Sequence, residues 1–241
     1  MKVAVILPAA GFGTRMRVAA PEKTGTSRKQ FMLLDGMPIL LHTIRKFLAC
    51  PQVTEITVPL RQEDLQWVGE LIQADNPTKP VHLVEGGDTR QHSVENGLTV
   101  VSPDTDLVAV HDAVRPFIDL EILDKVIAEA ARSGAAIVGI VPVDTVKQVH
   151  LTKVRATLPR ERLILTQTPQ VFRLDLLREA FAKAREDDFV GTDESSLVER
   201  LEKVEVSVVH GSDRNIKITR PSDMQLARFF LAEEKARAGE A

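Results

Sequence analysis

The stretch VAVILPAAGFGTRM, residues 3–16, joins a continuous apolar run to a loop that contains Gly11 and Gly13. The run is short and rich in β-branched residues, which is typical of a strand covered on both faces of a parallel sheet. A glycine-containing loop directly after such a strand is a common place for backbone N–H groups to hold phosphate. Two cationic side chains follow, Arg15 and Lys29. The stretch therefore predicts an α/β domain with a phosphate site after its first strand.

Further apolar runs alternate with amphipathic segments along the chain. The runs that resemble strands are EITVPL (55–60), VHLVE (81–85), DLVAVH (106–111), AAIVGIV (135–141) and VEVSVV (204–209). Between them aliphatic residues recur at helical spacing; one such segment has Asp119 as a candidate N-cap and Gly134 after its end, and another begins after Pro38. This alternation predicts an α/β fold with a mostly parallel sheet flanked by helices.

The segment 142–172 interrupts the alternation. It contains VDTVKQVHL, a basic stretch and RLILTQTPQVF, which carry strand-forming residues without helical periodicity. We expect an extended hairpin here, a β-arm at about 142–172 that projects from the sheet. The length of the chain fits a single domain over residues 1–241.

The composition restricts the partners and the compartment. The net charge of -3 gives no broad basic surface for nucleic acid. Cys50 is the only cysteine, so an intrachain disulfide is impossible and a reducing compartment is favoured. The N-terminal apolar run is too short for a signal peptide, and no apolar stretch reaches the length of a membrane span. We expect a cytoplasmic protein that binds neither membranes nor nucleic acid.

The glycine loop suits either the pyrophosphate of a bound dinucleotide or the phosphates of a nucleotide that reacts. A dinucleotide-binding loop needs a small residue where this chain has Met16, and an acid at the end of the second strand. The candidate acid, Asp35, lies in LLDGMPIL, which is typical of a turn before a helix. A Walker loop is excluded because no GK[ST] follows the glycines. Arg15 and Lys29 therefore favour a site where phosphoryl charge builds up and a polyphosphate leaves.

Seven motifs occur in order along the chain. They are PAAGFGTRM with KQF downstream, GGDTRQHSVENGL (86–98), HDAVRPF (111–117), VPVDTVK (141–147), LTQTPQVF (165–172), TDESSLVE (192–199) and NIKITRP (215–221). Together they resemble the 2-C-methyl-D-erythritol 4-phosphate cytidylyltransferase family, from residue 3 to about residue 230. The resemblance implies a Rossmann-like nucleotidyltransferase fold and transfer of a cytidylyl group from CTP to methylerythritol phosphate, with release of pyrophosphate. It also implies Mg²⁺ or another divalent cation, and a homodimer whose β-arms exchange between subunits.

The resemblance also implies roles for individual residues. Arg15 and Lys29 would be catalytic because they hold the CTP phosphates and stabilise the transition state, and Asp112 would bind the metal. The residues implied for CTP binding are Pro8, Ala9, Ala10, Gly11, Gly13, Gly87, Asp88 and Ser93. The residues implied for acceptor binding are Arg115, Thr145, Arg160, Thr168, Thr192, Asp213 and Lys217. If the arm exchanges, its residues Thr145, Arg160 and Thr168 complete the site of the neighbouring subunit.

The implied nucleophile is a phosphate monoester, which is largely dianionic at neutral pH because its second pKa is about 6. No general base is therefore required, and we interpret His111 as a structural hydrogen-bonding residue. Arg90 is open to two interpretations, a substrate contact or an ion pair that orders its loop. Arg160 is preferred to Arg155 and Arg162 because of its spacing to TPQ.

The chain departs from the family pattern between Met16 and Lys29, where the connection is longer than usual and Arg28 replaces the common Pro. We hypothesise that residues 17–28 form a lid over the CTP phosphates, with Lys23 as an alternative to Lys29. The main alternative function is a cytidylyltransferase for another polyol phosphate, such as ribitol 5-phosphate. A dinucleotide-dependent oxidoreductase and a non-catalytic nucleotide-binding module are alternatives from other classes.

Overall fold

The central sheet and its flanking helices are seen in a computed structural model that describes residues 1–11 and 28–239. The strands, numbered along the chain, are β1 (Val3–Ile6), β2 (Leu33–Leu34), β3 (Met37–Pro38), β4 (Val53–Leu60), β5 (Val81–Glu85), β6 (Leu107–Val110), β7 (Ala135–Ile140), β8 (Val146–His150), β9 (Lys153–Leu158), β10 (Leu165–Arg173) and β11 (Ser207–His210). The α-helices are α1 (Ile39–Leu48), α2 (Leu65–Ala74), α3 (Arg90–Val100), α4 (Leu120–Ser133), α5 (Leu174–Glu186), α6 (Glu194–Glu199) and α7 (Pro221–Gly239). Within the described ranges, no helix combines the length and the apolar character needed to cross a lipid bilayer.

Seven strands form the central sheet in the order β11-β7-β10-β6-β1-β4-β5. Neighbouring strands run parallel except where β10 lies antiparallel between β6 and β7. The mostly parallel α/β sheet predicted from the sequence is therefore confirmed. The strand order reverses between β1 and β6, and open α/β sheets bind ligands outside the carboxyl ends of the strands at such a point.

The side chains of β1 and the residue after it alternate between the two faces of the sheet, as a strand requires. Val3, Val5 and Leu7 belong to a core that α1, α2 and α4 cover. Ala4 and Ile6 belong to a second core, which α3, α5 and α6 cover. All five side chains are fully buried. Packing on both faces therefore fixes the strand from which the glycine loop leaves.

Local sequence explains two helix boundaries and one turn. Asp119 accepts the N–H of Glu121 at 2.8 Å at the start of α4, and Gly134 ends that helix with a φ of 88°. Asp35 and Gly36 both have positive φ in the turn between β2 and β3, the conformation that Asp-Gly favours in a tight hairpin. Asp35 therefore lies in a turn before α1, as the sequence indicates, and does not end a strand of the central sheet.

The predicted β-arm is shorter than expected. Strands β8 and β9 form a separate two-stranded sheet, but β10 belongs to the central sheet, so the boundary at about residue 172 is wrong. The reason is burial: Val171 and Phe172 are fully buried, each in one of the two cores on either side of the sheet. The predicted strand at 204–209 begins later, at Ser207, because Val204 and Val206 pack against the core instead of pairing.

Candidate active site

A cavity of about 270 Å³ lies outside the carboxyl ends of β1 and β6, at the point where the strand order reverses. It is open to solvent on one side and receives residues from six separate parts of the chain. The lining residues are Pro8, Ala9, Ala10, Gly11, Lys29, Gln30, Arg61, Gly87, Asp88, Thr89, Arg90, Ser93, Asp112, Ala113, Val114 and Lys217. The residues implied for CTP binding lie together here, apart from Gly13, and their role as CTP ligands stays a prediction.

The wall of the cavity near α3 is closely packed. Ser93 Oγ accepts the N–H of Gly87 at 3.1 Å and lies 2.8 Å from the carbonyl oxygen of Thr89. A side chain at Gly87 would collide with the Cβ of His92, so only glycine fits. Thr89 caps α3 by accepting the N–H of His92 at 3.0 Å. The motif GGDTRQHS thus forms a rigid turn whose backbone faces the cavity.

The turn that carries Lys29 is a short 3-10 helix, Lys29–Phe31. Arg28 precedes it and forms an ion pair with Asp64, whose side chain is only 1% exposed. Arg28 also lies over the ring of Phe31, 5.1 Å from its centroid, and Phe31 meets Trp67 edge to face at 4.6 Å. These contacts attach the turn to the start of α2.

Several predictions fall on the part of the chain that the structure does not describe. Arg15 and Gly13 lie outside the described residues, as do Lys23 and residues 17–27 of the predicted lid. Their predicted roles therefore stay predictions from the sequence. Of the departures from the family pattern, only Arg28 is described.

Asp112, at the carboxyl end of β6, is surrounded by cations. Its Oδ2 lies 2.9 Å from Lys217 Nζ and 3.0 Å from Arg115 Nε, and its Oδ1 lies 3.6 Å from Arg90 Nε. Burial by itself raises the pKa of this carboxyl, but Lys217, Arg90 and Arg115 outweigh burial and hold the pKa well below its usual range. The carboxyl group of Asp112 is therefore ionised in the folded protein at neutral pH.

Of the two interpretations of Arg90 left open by the sequence, the structure shows the ion pair, and a substrate contact stays a prediction. Arg90 lines the cavity, and its Nη1 donates to Glu194 Oε1 at 2.6 Å. Burial lowers the pKa of Arg90, but the carboxylates of Glu194 and Asp112 raise it above its usual value. Glu194, at the start of α6, is 1% exposed, so this ion pair connects the TDESSLVE motif to the cavity.

His111 is fully buried and structural, as interpreted. Its Nε2 lies 3.0 Å from the carbonyl oxygen of Arg115, and its Nδ1 lies 3.2 Å from Thr168 Oγ1. Burial lowers the pKa of His111 to about 4, so the ring is neutral at physiological pH. Because Nε2 faces a carbonyl oxygen, Nε2 carries the proton and Nδ1 accepts. The hydroxyl of Thr168 thus donates to His111 and accepts the N–H of Asp112 at 3.0 Å.

The residues implied for acceptor binding fall into two groups. Arg115, Thr168 and Lys217 lie around Asp112 of the same chain. The predicted place of Thr168 in the arm, completing the neighbouring site, is wrong, because Thr168 is buried in β10 of the central sheet. Lys217 is held beside Asp112 because Ile218 donates its N–H to Val114 O at 3.0 Å. Of these three, Lys217 lines the cavity, whereas Arg115 and Thr168 lie behind Asp112 in contact with it. The other four neither contact Asp112 nor line the cavity of their own chain. They are Thr145 and Arg160 beside the β8–β9 hairpin, Thr192 before α6, and Asp213 in the turn after β11.

Comparison with known proteins decides the family. Residues 3–233 match the model of the IspD family, described as 2-C-methyl-D-erythritol 4-phosphate cytidylyltransferase. The chain belongs to this cytidylyltransferase family.

Relatives and solved structures agree with this family across nearly the whole chain. A 2-C-methyl-D-erythritol 4-phosphate cytidylyltransferase of Solibacter usitatus is 64% identical, covering 99% of each chain. One of Acidobacterium capsulatum is 48% identical, covering 98% of this chain and 100% of the relative. The crystal structure of 4-diphosphocytidyl-2C-methyl-D-erythritol synthase from Anaerococcus prevotii superposes with a TM-score of 0.83 at 29% identity, covering 95% and 96%. That of the Thermus thermophilus cytidylyltransferase gives 0.75 at 33% identity, covering 95% and 98%.

Three residues of this cytidylyltransferase site were not singled out from the sequence. Gln30 and Arg61 line the cavity, and Glu194 holds Arg90. The sequence feature that could have identified Gln30 is its place in the motif KQF. For Arg61 it is the position directly after β4, whose end lies at the cavity. The sequence gives the weakest indication for Glu194, because an acidic residue in the first turn of a helix is usually explained by its interaction with the helix dipole.

Proposed function

We propose that this protein transfers the cytidylyl group of CTP to 2-C-methyl-D-erythritol 4-phosphate, giving 4-diphosphocytidyl-2-C-methyl-D-erythritol and pyrophosphate. The observation that carries the proposal is the family match over residues 3–233, together with a cavity at the switch point of the sheet. A backbone loop lines one side of this cavity, and Lys29, Arg61 and Lys217 add positive charge to it.

The reaction needs charge stabilisation and no general base. The acceptor phosphate attacks the α-phosphate of CTP in line, so that a P–O bond to the acceptor forms while the bond to pyrophosphate breaks. Two anions must approach each other, and fixed cations and backbone N–H groups lower this barrier. We assign this role to Lys29, with Arg15 from the resemblance. His111 is buried and neutral, which suits a reaction without proton abstraction.

Mg²⁺ fits the site as an ion held jointly with the nucleotide. Among the described residues, no group of three or more His, Cys, Asp or Glu side chains is arranged to hold a metal alone. Mg²⁺ commonly uses one or two carboxylates plus substrate phosphates, and Asp112 is the cavity carboxylate that the resemblance implies for the metal. Its Oδ2 is engaged by Arg115 and Lys217, whereas Oδ1 lies 3.6 Å from Arg90 Nε, so Oδ1 is the oxygen that would hold the ion. When bound, the metal would neutralise phosphate charge.

The acceptor would bind on the side of Asp112 that carries Arg115, Thr168 and Lys217. The two cations would pair with the acceptor phosphate, and the hydroxyl of Thr168 would form a hydrogen bond with a hydroxyl of the acceptor. Because Thr168 donates its own hydrogen to His111, it can only accept a hydrogen bond from the acceptor. Thr192 and Asp213 are exposed and remain predicted contacts.

Dimerisation would complete the site. Thr145 and Arg160 do not line the cavity of their own chain, although the resemblance implies that they bind the acceptor. The hairpin beside them exposes Val149, Leu151 and Val154, with Leu151 87% exposed, and such apolar side chains suit contact with another subunit. We infer a homodimer in which the arm of one single-domain protomer, residues 1–241, lies over the site of its partner.

The test is pyrophosphate release from CTP in the presence of Mg²⁺ and one acceptor at a time. Methylerythritol phosphate should support release, whereas ribitol 5-phosphate should not. Lys29→Ala serves as the matched inactive variant and should lower kcat about 10²–10³-fold, the usual effect of losing one transition-state donor. Release with ribitol 5-phosphate and none with methylerythritol phosphate would overturn the proposal. The buried single thiol Cys50 further supports our proposal of a cytoplasmic location.

A further inference from the structure

One buried side chain, Gln30, attaches the turn of Lys29 to the loop after β1. Gln30 is only 2% exposed. Its Nε2 donates to the carbonyl oxygen of Ala9 at 2.7 Å and to that of Gly11 at 3.1 Å. A glutamine amide has two N–H donors, and both are therefore used on this loop. Lys29, the residue directly before Gln30, lines the same cavity.

These hydrogen bonds fix the plane of the Ala9–Ala10 peptide. In a trans peptide the C=O and the following N–H point in opposite directions. Holding the Ala9 carbonyl toward Gln30 therefore directs the N–H of Ala10 to the opposite side. The preceding peptide is fixed as well, because the N–H of Ala9 donates to Pro59 O at 2.8 Å. The loop is thus held by β4 and by two side chains, Gln30 and Arg61, of which Arg61 donates from Nε to Ala10 O at 3.3 Å.

We propose that Gln30 is a positioning residue for phosphoryl transfer, which fixes the loop Pro8–Gly11 and Lys29 relative to each other around the nucleotide phosphates. The inference rests on the proposed function, since it assigns Gln30 to the cytidylyl-transfer step. Backbone donors lower a barrier when they are oriented before charge develops. Gln30 acts through the loop, because its donors are bonded to carbonyl oxygens of the protein.

The chemistry of the position explains why glutamine is needed. Two carbonyl oxygens converge on the same side chain, so this side chain must donate twice. An ionised glutamate accepts only and would repel both carbonyl oxygens. A methionine of similar length would fill the space and leave both oxygens without this donor. These two substitutions therefore separate volume from hydrogen bonding.

The experiment compares Gln30→Met and Gln30→Glu with wild type and with Gln66→Met, a control on the exposed surface of α2. Three quantities are measured: kcat for pyrophosphate release from CTP with methylerythritol phosphate, the Kd of CTP and the Kd of cytidine. Cytidine lacks phosphates, so its Kd reports on the base pocket, and the stoichiometry of its binding gives the number of folded sites. Counting sites in this way makes kcat independent of any unfolded fraction.

We expect kcat per cytidine-binding site to fall about 10–100-fold in both Gln30 variants, by analogy with the loss of transition-state donors. The Kd of CTP should rise while that of cytidine stays within about twofold, since only the phosphates meet the loop. Gln66→Met should match wild type. A kcat per site within about twofold of wild type in either Gln30 variant would overturn the inference. Equal weakening of CTP and cytidine, with a lower melting temperature, would also overturn it by showing a structural role only.

Failure of this inference is distinguishable from failure of the proposed function. If wild type releases no pyrophosphate with methylerythritol phosphate, the proposed function fails. The ratio of the CTP and cytidine dissociation constants then still tests whether Gln30 orients the phosphate loop. If wild type is active and the Gln30 variants equal it, the positioning role alone fails.

Discussion

Lys217 Nζ lies 2.9 Å from Asp112 Oδ2, so the residue implied for the acceptor phosphate pairs directly with the residue implied for the metal. The two come from segments about a hundred residues apart, which are joined by the bonds of Ile218 N–H to Val114 O and of Arg115 Nη1 to Asn215 O. If Asp112 holds the metal and Lys217 holds the acceptor phosphate, as we propose, each side chain changes its electrostatic surroundings when the other binds its ligand. We therefore expect binding of the metal and binding of the acceptor to be coupled at this pair.

Substitution of Lys217 should weaken acceptor binding. We expect Lys217→Ala to raise the acceptor KM about 10–100-fold, since a hydrogen bond to a charged group is worth about 1.5–3 kcal/mol. The KM of CTP should change less, and Lys217→Arg should give an intermediate acceptor KM because it keeps the charge. Steady-state kinetics with each substrate varied in turn checks this. Lys125→Ala, exposed on α4, is the control, and an unaltered acceptor KM in Lys217→Ala would remove Lys217 from the acceptor site.

Exchange of the arm can be tested by mixing two inactive variants. If Arg160 acts in the partner's site, Lys29→Ala and Arg160→Ala subunits should complement each other, because their heterodimer contains one site with both residues intact. An equal mixture should recover about a quarter of wild-type activity if subunits pair at random in a closed dimer. Activity is measured after the subunits have been mixed and allowed to exchange.

The arginines of the arm provide the control for this experiment. Arg155→Ala on the exposed β9 strand should remain active without mixing. If Arg160 served its own chain, the mixture of Lys29→Ala and Arg160→Ala would stay inactive, because no site would then contain both side chains.

Buried His111 should make stability depend on pH. Its pKa is lowered from 6.5 to about 4 by burial, so between these values the unfolded chain binds a proton that the native state does not. The stabilisation is fully present above pH 6.5 and is lost as the pH falls toward 4. At pH 5 this lowers the free energy of unfolding by about 2 kcal/mol relative to pH 7. Urea denaturation at the two pH values measures the difference.

A His111→Gln variant is the comparison for the pH experiment. It should lose this part of the pH dependence, although it is less stable at pH 7 because the bonds to Arg115 and Thr168 are disturbed. The contribution of Asp112 does not interfere, because its lowered pKa affects stability only as the pH falls below about 4. The same pH dependence in both proteins would contradict the assignment to His111.

The ion pair of Arg28 with Asp64 should stabilise the turn of Lys29. Arg28→Ala leaves a carboxylate that is 1% exposed, with Trp67 Nε1, at 3.0 Å, as its remaining side-chain donor among the described residues. Loss of one partner of a buried pair costs about 3–5 kcal/mol, and we expect about 2–3 kcal/mol because Arg28 is partly exposed. Chemical denaturation measures this, and Arg28→Ala combined with Asp64→Asn should recover part of the loss.

The fluorescence of Trp67 reports on the position of the same turn. It is the only tryptophan of the chain, and its ring packs on Phe31. Its emission should therefore shift in Arg28→Ala if the turn moves. An unshifted emission spectrum and an unfolding free energy within 0.5 kcal/mol or so of wild type would show that Arg28 does not hold the turn.

Local sequence patterns predicted the elements well and their spatial neighbours only in part. The strand Val3–Ile6, the cap at Asp119 and the turn at Asp35 follow from residues adjacent in sequence. The insertion of β10 between β6 and β7 does not, because periodicity indicates that a segment is a strand and says nothing about which strands it joins. The same limit explains why the resemblance could name Asp112 and Lys217 without showing that they pair.

Charge is distributed unevenly over this molecule. The chain as a whole carries a net charge of -3, yet the described residues that line the cavity include Lys29, Arg61, Arg90 and Lys217 against only Asp88 and Asp112. Small anions are therefore drawn toward one concave opening. Such steering weakens as salt screens the field over about 10 Å at 0.1 M. The enzyme should thus collect its two phosphorylated substrates from dilute solution most rapidly at low ionic strength.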